Sequence, residues 1–545
     1  MHACCEVNRY RISWVCAVAL CVSSTVAQTD SEVRDMIHQI DQLRDAGRFQ
    51  EAVPIAEKVL KYCEKNDGPD HPETADSLND LASLYAGMGN YAKAAPLYER
   101  ALKIREKALG KDHPYTAIIL NNLAETYRES GDFAKAEPLY KRAIKIFEAK
   151  LGKTHPNTVG VTANLALLYE DKDDVAKAEP LYLRVLKIRE ETLGPDNPDV
   201  ANTLSGLAAL YYHKGNYAKA EPMYERALKI SEKALGPDHP QTANVANNLG
   251  ALYLSEGELA KAEPLLKRAL DIREKLFGPN HRATGESINN LAWVYLDGGN
   301  YTKAEPLFLR SLKITEQSLG PEHPDTATCL NNVGVLYQMM REYKKAEPYY
   351  ERALKIREKA LGPNNSALVS SIGGLADVYR LERDYAKAEP MGQRALQLSE
   401  KVYGPTHEMT ATSYNNLAAT YEGMGKYEKA LPLYEKALKL FQDTRGLNYY
   451  KTGAALDNLG VLYREKGDYK EAESYALRGL EVTEKARGPN HPETATALND
   501  LAKVYEAMGD KAKAEPLRER AANIRNKGKA TTGSPQPSAA PQLTP

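Results

Sequence analysis

LGPDHPQTANVANNLGALYLSEGELAKA runs from Leu235 to Ala262, continues as EPLLKRALDIREK through Lys275, and begins again at Leu276. The glycine near its start returns at Gly68, Gly110, Gly152, Gly194, Gly236, Gly278, Gly320, Gly362, Gly404, Gly446 and Gly488, always 42 residues apart without insertion or deletion. A strict period of this length predicts a stacked solenoid, in which each unit buries its apolar face against its neighbours. Length alone, 545 residues, would suggest several domains. Self-similarity over most of the chain makes it one elongated body instead.

Inside each period the pattern reads helix, tight turn, helix, loop. In the unit beginning at Gly68, Pro72 suits a first helical turn, where a missing donor costs nothing. Ala75, Leu78, Leu81, Ala82 and Tyr85 then form one apolar stripe. Gly89 stops this helix and Asn90 is placed to cap the next, whose stripe is Ala94, Leu97, Tyr98, Ala101, Leu102 and Ala108. Pro96 and its equivalents fall near the start of the second helix, where a small bend is the expected cost. The small residue repeated from Ala94 through Ala262 to Ala514 marks the closest helix approach, and the tyrosine repeated from Tyr85 to Tyr505 is expected to pack with its hydroxyl satisfied.

The ends differ from the body. Arg9 and Arg11 precede an apolar run from Ile12 to Val22, and Thr25-Val26-Ala27 supplies small residues for cleavage, so residues 1–27 read as a secretory signal. Residues 28–67 hold a degenerate capping helix pair in the same register, and residues 68–527 hold eleven tandem repeats. Residues 528–545, rich in Ser, Pro and Ala, read as a disordered tail. Of six cysteines only Cys63 and Cys329 remain after signal removal, about six repeats apart in an array expected to touch only between neighbours, which excludes a bridge between them. With 72 Lys and Arg against 73 Asp and Glu there is no basic field to hold nucleic acid, and no later segment is apolar enough to span a bilayer.

The N-L-A-x-L-Y and G-x-Y-x-K-A pieces, with Ala101 later in the second helix, resemble tetratricopeptide repeats (TPR), whose usual period is 34 residues. The 42-residue period and the L-G-P-D-H-P connector are similar to the subfamily found in kinesin light chains, over about residues 31–526. The resemblance implies an all-α fold, a right-handed superhelical solenoid of antiparallel helix pairs. It also implies a concave groove, lined by the first helices, that binds extended or helical peptides of partner proteins.

Asn289, Trp293 and Leu296 are four and three apart and share one helix face, which by the family pattern is the groove. Asn247 and Asn331 repeat the amide, and either the ladder holds a peptide backbone or it links neighbouring helices. The second asparagine of each pair, such as Asn290, is expected to face a neighbouring helix. Specificity should come from positions that break the repeat: Tyr212, Leu254, Trp293, Leu296, Val335 and Met339. These form either a partly exposed apolar patch with the composition of a binding hot spot or interior packing. Toward the amino end the same face turns acidic at Glu125, Glu129, Glu170 and Asp171, suited to a basic ligand segment or to plain solvation.

Histidines recur once per repeat, too far apart to converge on a metal, and read as connector residues. Runs such as K-I-R-E-K read as exposed helix faces with paired charges. No phosphate loop and no nucleophile–base set stands apart from the repeat, so no cofactor, metal or enzyme is expected. The expectation is an exported scaffold that binds a partner peptide in its groove. Its rival is a structural component assembling through its outer surface into a cell-envelope or extracellular complex.

Overall fold

The computed structural model describes residues 30 to 530 apart from residues 173 and 448. Residues 1–27, read above as a signal, and residues 531–545 therefore lie outside the described residues. Among the described residues there are twenty-four helices, from α1 (Asp30–Asp45) and α2 (Phe49–Asn66) to α24 (Lys511–Ala530), and no strand. The last helix takes in residues 528–530, which the composition had assigned to the tail.

The local signals act as their chemistry requires. First helices such as α11 (Pro240–Ser255) open on proline, and the preceding His239 accepts a hydrogen bond from the Gln241 amide through Nδ1, at 3.2 Å. The connector histidine is thus a helix cap, a role repeated at His71, His113, His155, His281, His323, His407 and His491. A threonine hydroxyl closes the same loop, with Thr242 donating to the Gly236 carbonyl at 2.8 Å. At the turn between paired helices the chain reverses, wherever that residue is described, through a left-handed residue. Gly89 has φ of +70°, the Asn90 amide returns to the Tyr85 carbonyl, and the Asn90 side chain caps the second helix at Lys93. The prolines inside the second helices leave those helices continuous.

Packing follows the two stripes. The repeated alanine is fully buried from Ala94 to Ala472 and nearly so at Ala514. Tyr350 of a second helix reaches between two first helices: a methyl group built on either Gly334 or Gly374 would press into its ring. One apolar core runs without a break from Ala117 to Leu398. Its stability is therefore a sum over interfaces between units.

The array does not, however, touch only between neighbours. A methyl group built on Gly47 would sit 3.6 Å from Nε2 of His281, one on Gly131 would sit 3.5 Å from Nδ2 of Asn365, and one on Gly89 would overlap the His323 ring. Each partner lies between five and six repeats further along, at the same separation in all three. The superhelix therefore completes a turn in that span, and the glycine turns of its first turn rest on the helix–helix connectors of its second. We call this contact the seam. It corrects the neighbour-only expectation, because a small rotation per repeat accumulates until the chain meets itself. Cys63 and Cys329 are free thiols even so, Cys63 beside the Ser77 hydroxyl and Cys329 beside Ser311 and Thr315.

Candidate peptide-binding groove

The asparagine ladder is built between repeats. Asn122 donates to Asn79 at 2.9 Å, Asn164 to Asn121 at 3.0 Å, Asn290 to Asn247 at 3.2 Å, Asn332 to Asn289 at 2.8 Å and Asn458 to Asn415 at 2.9 Å. In every rung the second asparagine of one unit donates to the first asparagine of the unit before. Of the two readings open in the sequence, linking neighbouring helices is the one seen. Asn247 is fully buried and Asn331 is 3% exposed, where its oxygen accepts from Ser371 at 3.4 Å. Asn289 alone of the three is half-buried.

The apolar positions are core as well. Trp293, on α13 (Arg282–Asp297), is 1% exposed and stands edge-on to Phe308 of α14 (Tyr301–Leu319), with ring centroids 5.6 Å apart. Leu254, Leu296, Val335 and Tyr212 are also buried, and the Tyr212 hydroxyl meets Ser255 Oγ at 2.6 Å. Met339 remains open, at 40% exposure. The expectation of a partly exposed patch is corrected here. The second-helix residue at the Phe308 position fills the space between first helices, so side chains three and four apart on the groove face are drawn into that packing.

Charge on this face is likewise paired internally. Arg128 is buried and bonded to Glu125, Glu129 and Asp171, while Glu125 also accepts from the Tyr140 hydroxyl. Burial works against the Arg128 charge, yet the carboxylates of Glu125 and Glu129 hold it firmly protonated. Glu170 accepts from Tyr182 at 3.0 Å and lies 3.6 Å from His213. The expected acidic stretch is therefore a folded network, with its carboxylates committed to protein partners.

Two ladders were only partly visible in the sequence. In most units the repeated tyrosine donates to a glutamate of the preceding unit, as Tyr295 does to Glu263 at 2.9 Å, and carries a lysine over its ring, Lys303 at 5.1 Å; Tyr421 instead accepts from Gln393. That satisfies the hydroxyl as expected. The arginine of the K-I-R-E run, read as surface, is buried at Arg105, Arg189, Arg273 and Arg357. Arg273, on α12 (Leu259–Phe277), donates to the Ala283 carbonyl at 2.9 Å, Ser287 Oγ at 2.7 Å and Asn244 Oδ1 at 3.1 Å. The signal was present: this arginine alternates with Phe147, Ser231, Thr315 and Ser399 in intervening units, a pattern that solvent exposure does not require.

Among the described residues no group of three or more His, Cys, Asp or Glu side chains could hold a metal ion, and no helix is long and apolar enough to cross a membrane. What the geometry defines is a superhelical array of helix hairpins. The tetratricopeptide-repeat family model matches at residues 39–107, 78–149, 158–233, 199–275, 247–316, 294–359, 366–443 and 451–527, and the chain belongs to that family. TPR proteins are in general non-catalytic scaffolds for protein–protein interaction. No curated protein matches the chain. Among solved structures it is similar to a Podosopora anserina protein of nearly identical TPR-like repeats, described as a kinesin light chain (26% identity, 38% of this chain and 99% of that one, TM-score 0.35). It is similar also to BtubC (BKLC) from P. vanneervenii (24% identity, 46% and 98%, TM-score 0.32) and to a Rap protein complexed with competence and sporulation factor (15% identity, 76% and 99%, TM-score 0.47).

Proposed function

We propose that this chain is an exported scaffold that holds a segment of a partner protein along the concave face of its first helices. Family membership supports the scaffold role. The observation that supports the face is what stays open on it after the rungs and the core have formed: half-buried Leu167, Ser205, Ala209, Asn289 and Leu381, with exposed Met339. Small and apolar side chains beside an amide suit a helical or extended segment that brings its own apolar anchors. Export rests on the basic-then-apolar segment ending at Ala27.

Two measurements test the two halves. The secreted or periplasmic product should begin at about Gln28 by intact mass, and a product retaining residues 1–27 in the cytosol would remove the export half. For the groove, a partner captured by the wild type should be lost by Met339→Glu with Leu381→Glu. It should be kept by Leu183→Glu, a change at an exposed second-helix position. A partner retained by the groove variant places binding elsewhere and sinks the assignment.

A further inference from the structure

The seam is made by two different edges of the solenoid, and each edge is left open once. In the first superhelical turn the glycine turns at Gly47, Gly89 and Gly131 are covered or approached by connector residues of the second turn. The corresponding turns of the second turn, Gly425, Gly467 and Gly509, have nothing within 4 Å of a built methyl group and are exposed. The connector edge shows the converse. Leu109 and Leu193, at the ends of second helices in the first turn, are 38% and 46% exposed, whereas in the second turn their equivalent Leu319 is 4% exposed and Leu361 is half-buried. The open glycine edge carries exposed apolar side chains of its own, Tyr469 and Met508.

We propose that these two open edges dock on each other between two copies of this chain, so that the connector edge of one copy's first turn continues the seam on the glycine edge of the next copy's last turn. The observation that carries this is continuity with an interface the molecule already makes. The same motifs, at the same repeat spacing, form the covered seam inside one copy, so the surfaces are complementary by construction. Arg341 and Arg383 occupy the glycine position of two second-turn units, with φ of +63° and +64°. Their long side chains keep a second copy from settling on that part of the edge and direct docking to Gly425, Gly467 and Gly509. Because the two edges differ, the contact is heterologous: each copy has one edge of each kind, and assembly proceeds head to tail.

The test uses the chain from Gln28 to Pro545 in sedimentation velocity across the micromolar range. Wild type should show mass rising with concentration. Leu109→Glu with Leu193→Glu spoils the connector edge, and Tyr469→Glu with Met508→Glu spoils the glycine edge; these four positions are exposed and lie outside the internal seam, and circular dichroism should show unchanged helicity. Each variant alone should be monomeric. Mixed, each still has one intact edge, and the pair should form a capped one-to-one dimer of twice the monomer mass. A wild type that stays monomeric throughout, variants that still assemble alone, or a mixture that gives no dimer would each overturn the proposal.

Discussion

A connector of one pattern, L-G-P-D-N-P from Leu193 and L-G-P-E-H-P from Leu319, closes the second helix in both turns of the superhelix, yet Leu193 of the first turn is 46% exposed and Leu319 of the second is 4% exposed. The local backbone does not account for the difference. Both leucines end a second helix, both precede a glycine of positive φ, at +88° and +96°, and both lead to a capped first helix. What separates them is position along the superhelix: Leu319 adjoins Gly320, whose built methyl group would lie 3.3 Å from Nε2 of Gln50 on α2. A repeat protein can thus give equivalent positions two environments, and the boundary between them is set by pitch.

The largest effect should come from breaking the seam while holding local geometry constant. Gly89 and Gly509 have φ of +70° and +81°, so alanine at either pays the left-handed penalty of about 1 kcal/mol. Only at Gly89 does the new methyl meet a ring, that of His323, and overpacking of a closed contact adds about 1–3 kcal/mol. Gly89→Ala should therefore lower the urea unfolding free energy by up to about 4 kcal/mol, against about 1 kcal/mol for Gly509→Ala. Equal losses at the two sites would mean that the turns do not bear on one another.

A middle-sized effect should be blind to the turn. Asn164→Ala in the first turn and Asn332→Ala in the second each remove one donor from a rung, at 3.0 and 2.8 Å, and leave an asparagine oxygen without it. Each should cost about 1–2 kcal/mol, and the two should agree within about 0.5 kcal/mol. Chemical denaturation of the pair checks this. A rung that cost far more in one turn would show that the ladder, and not only the seam, senses superhelical position.

What the residues disclosed divides along the same line. Period, caps, stop glycines, buried alanines and the satisfied tyrosine hydroxyls follow from contacts within a unit or to the next one, and such contacts repeat in the sequence. The asparagines were harder, because Asn289 and Asn290 differ by one position and either could face a neighbour; only the rung geometry separates them. Trp293 and Leu296 sit on a helix bounded by a partner helix and two neighbouring units, which leaves little open face, so apolar character alone did not distinguish a groove from a core. The seam was out of reach because no single unit encodes it. Its pitch is the sum of small rotations, and the glycine and histidine it joins lie between five and six repeats apart.

The smallest effect, read at pH 6, concerns acid, and it sharpens the comparison at a connector of the second turn. Burial holds the His491 imidazole down at about 4, with Glu493 working against that shift and Arg487 for it; burial likewise lowers His281, which rests on Gly47. In the unfolded chain the same ring takes up its proton near the ordinary 6.5. Above that pH the ring is neutral in both states and contributes no pH dependence. As the pH falls below 6.5 the unfolded state binds the proton first, so stability is lost progressively down to the folded value near 4 and levels off below it. For His491 the loss should be about 1 kcal/mol at pH 6, read as a fall in the urea midpoint. His491→Gln keeps a polar group at the connector without the titration, and subtracting its pH profile from that of the wild type should leave this acid limb. A difference profile that stays flat from pH 7 to 4 would show that the connector is open to solvent in the second turn, and the distinction between the two turns would fail at that end of the molecule.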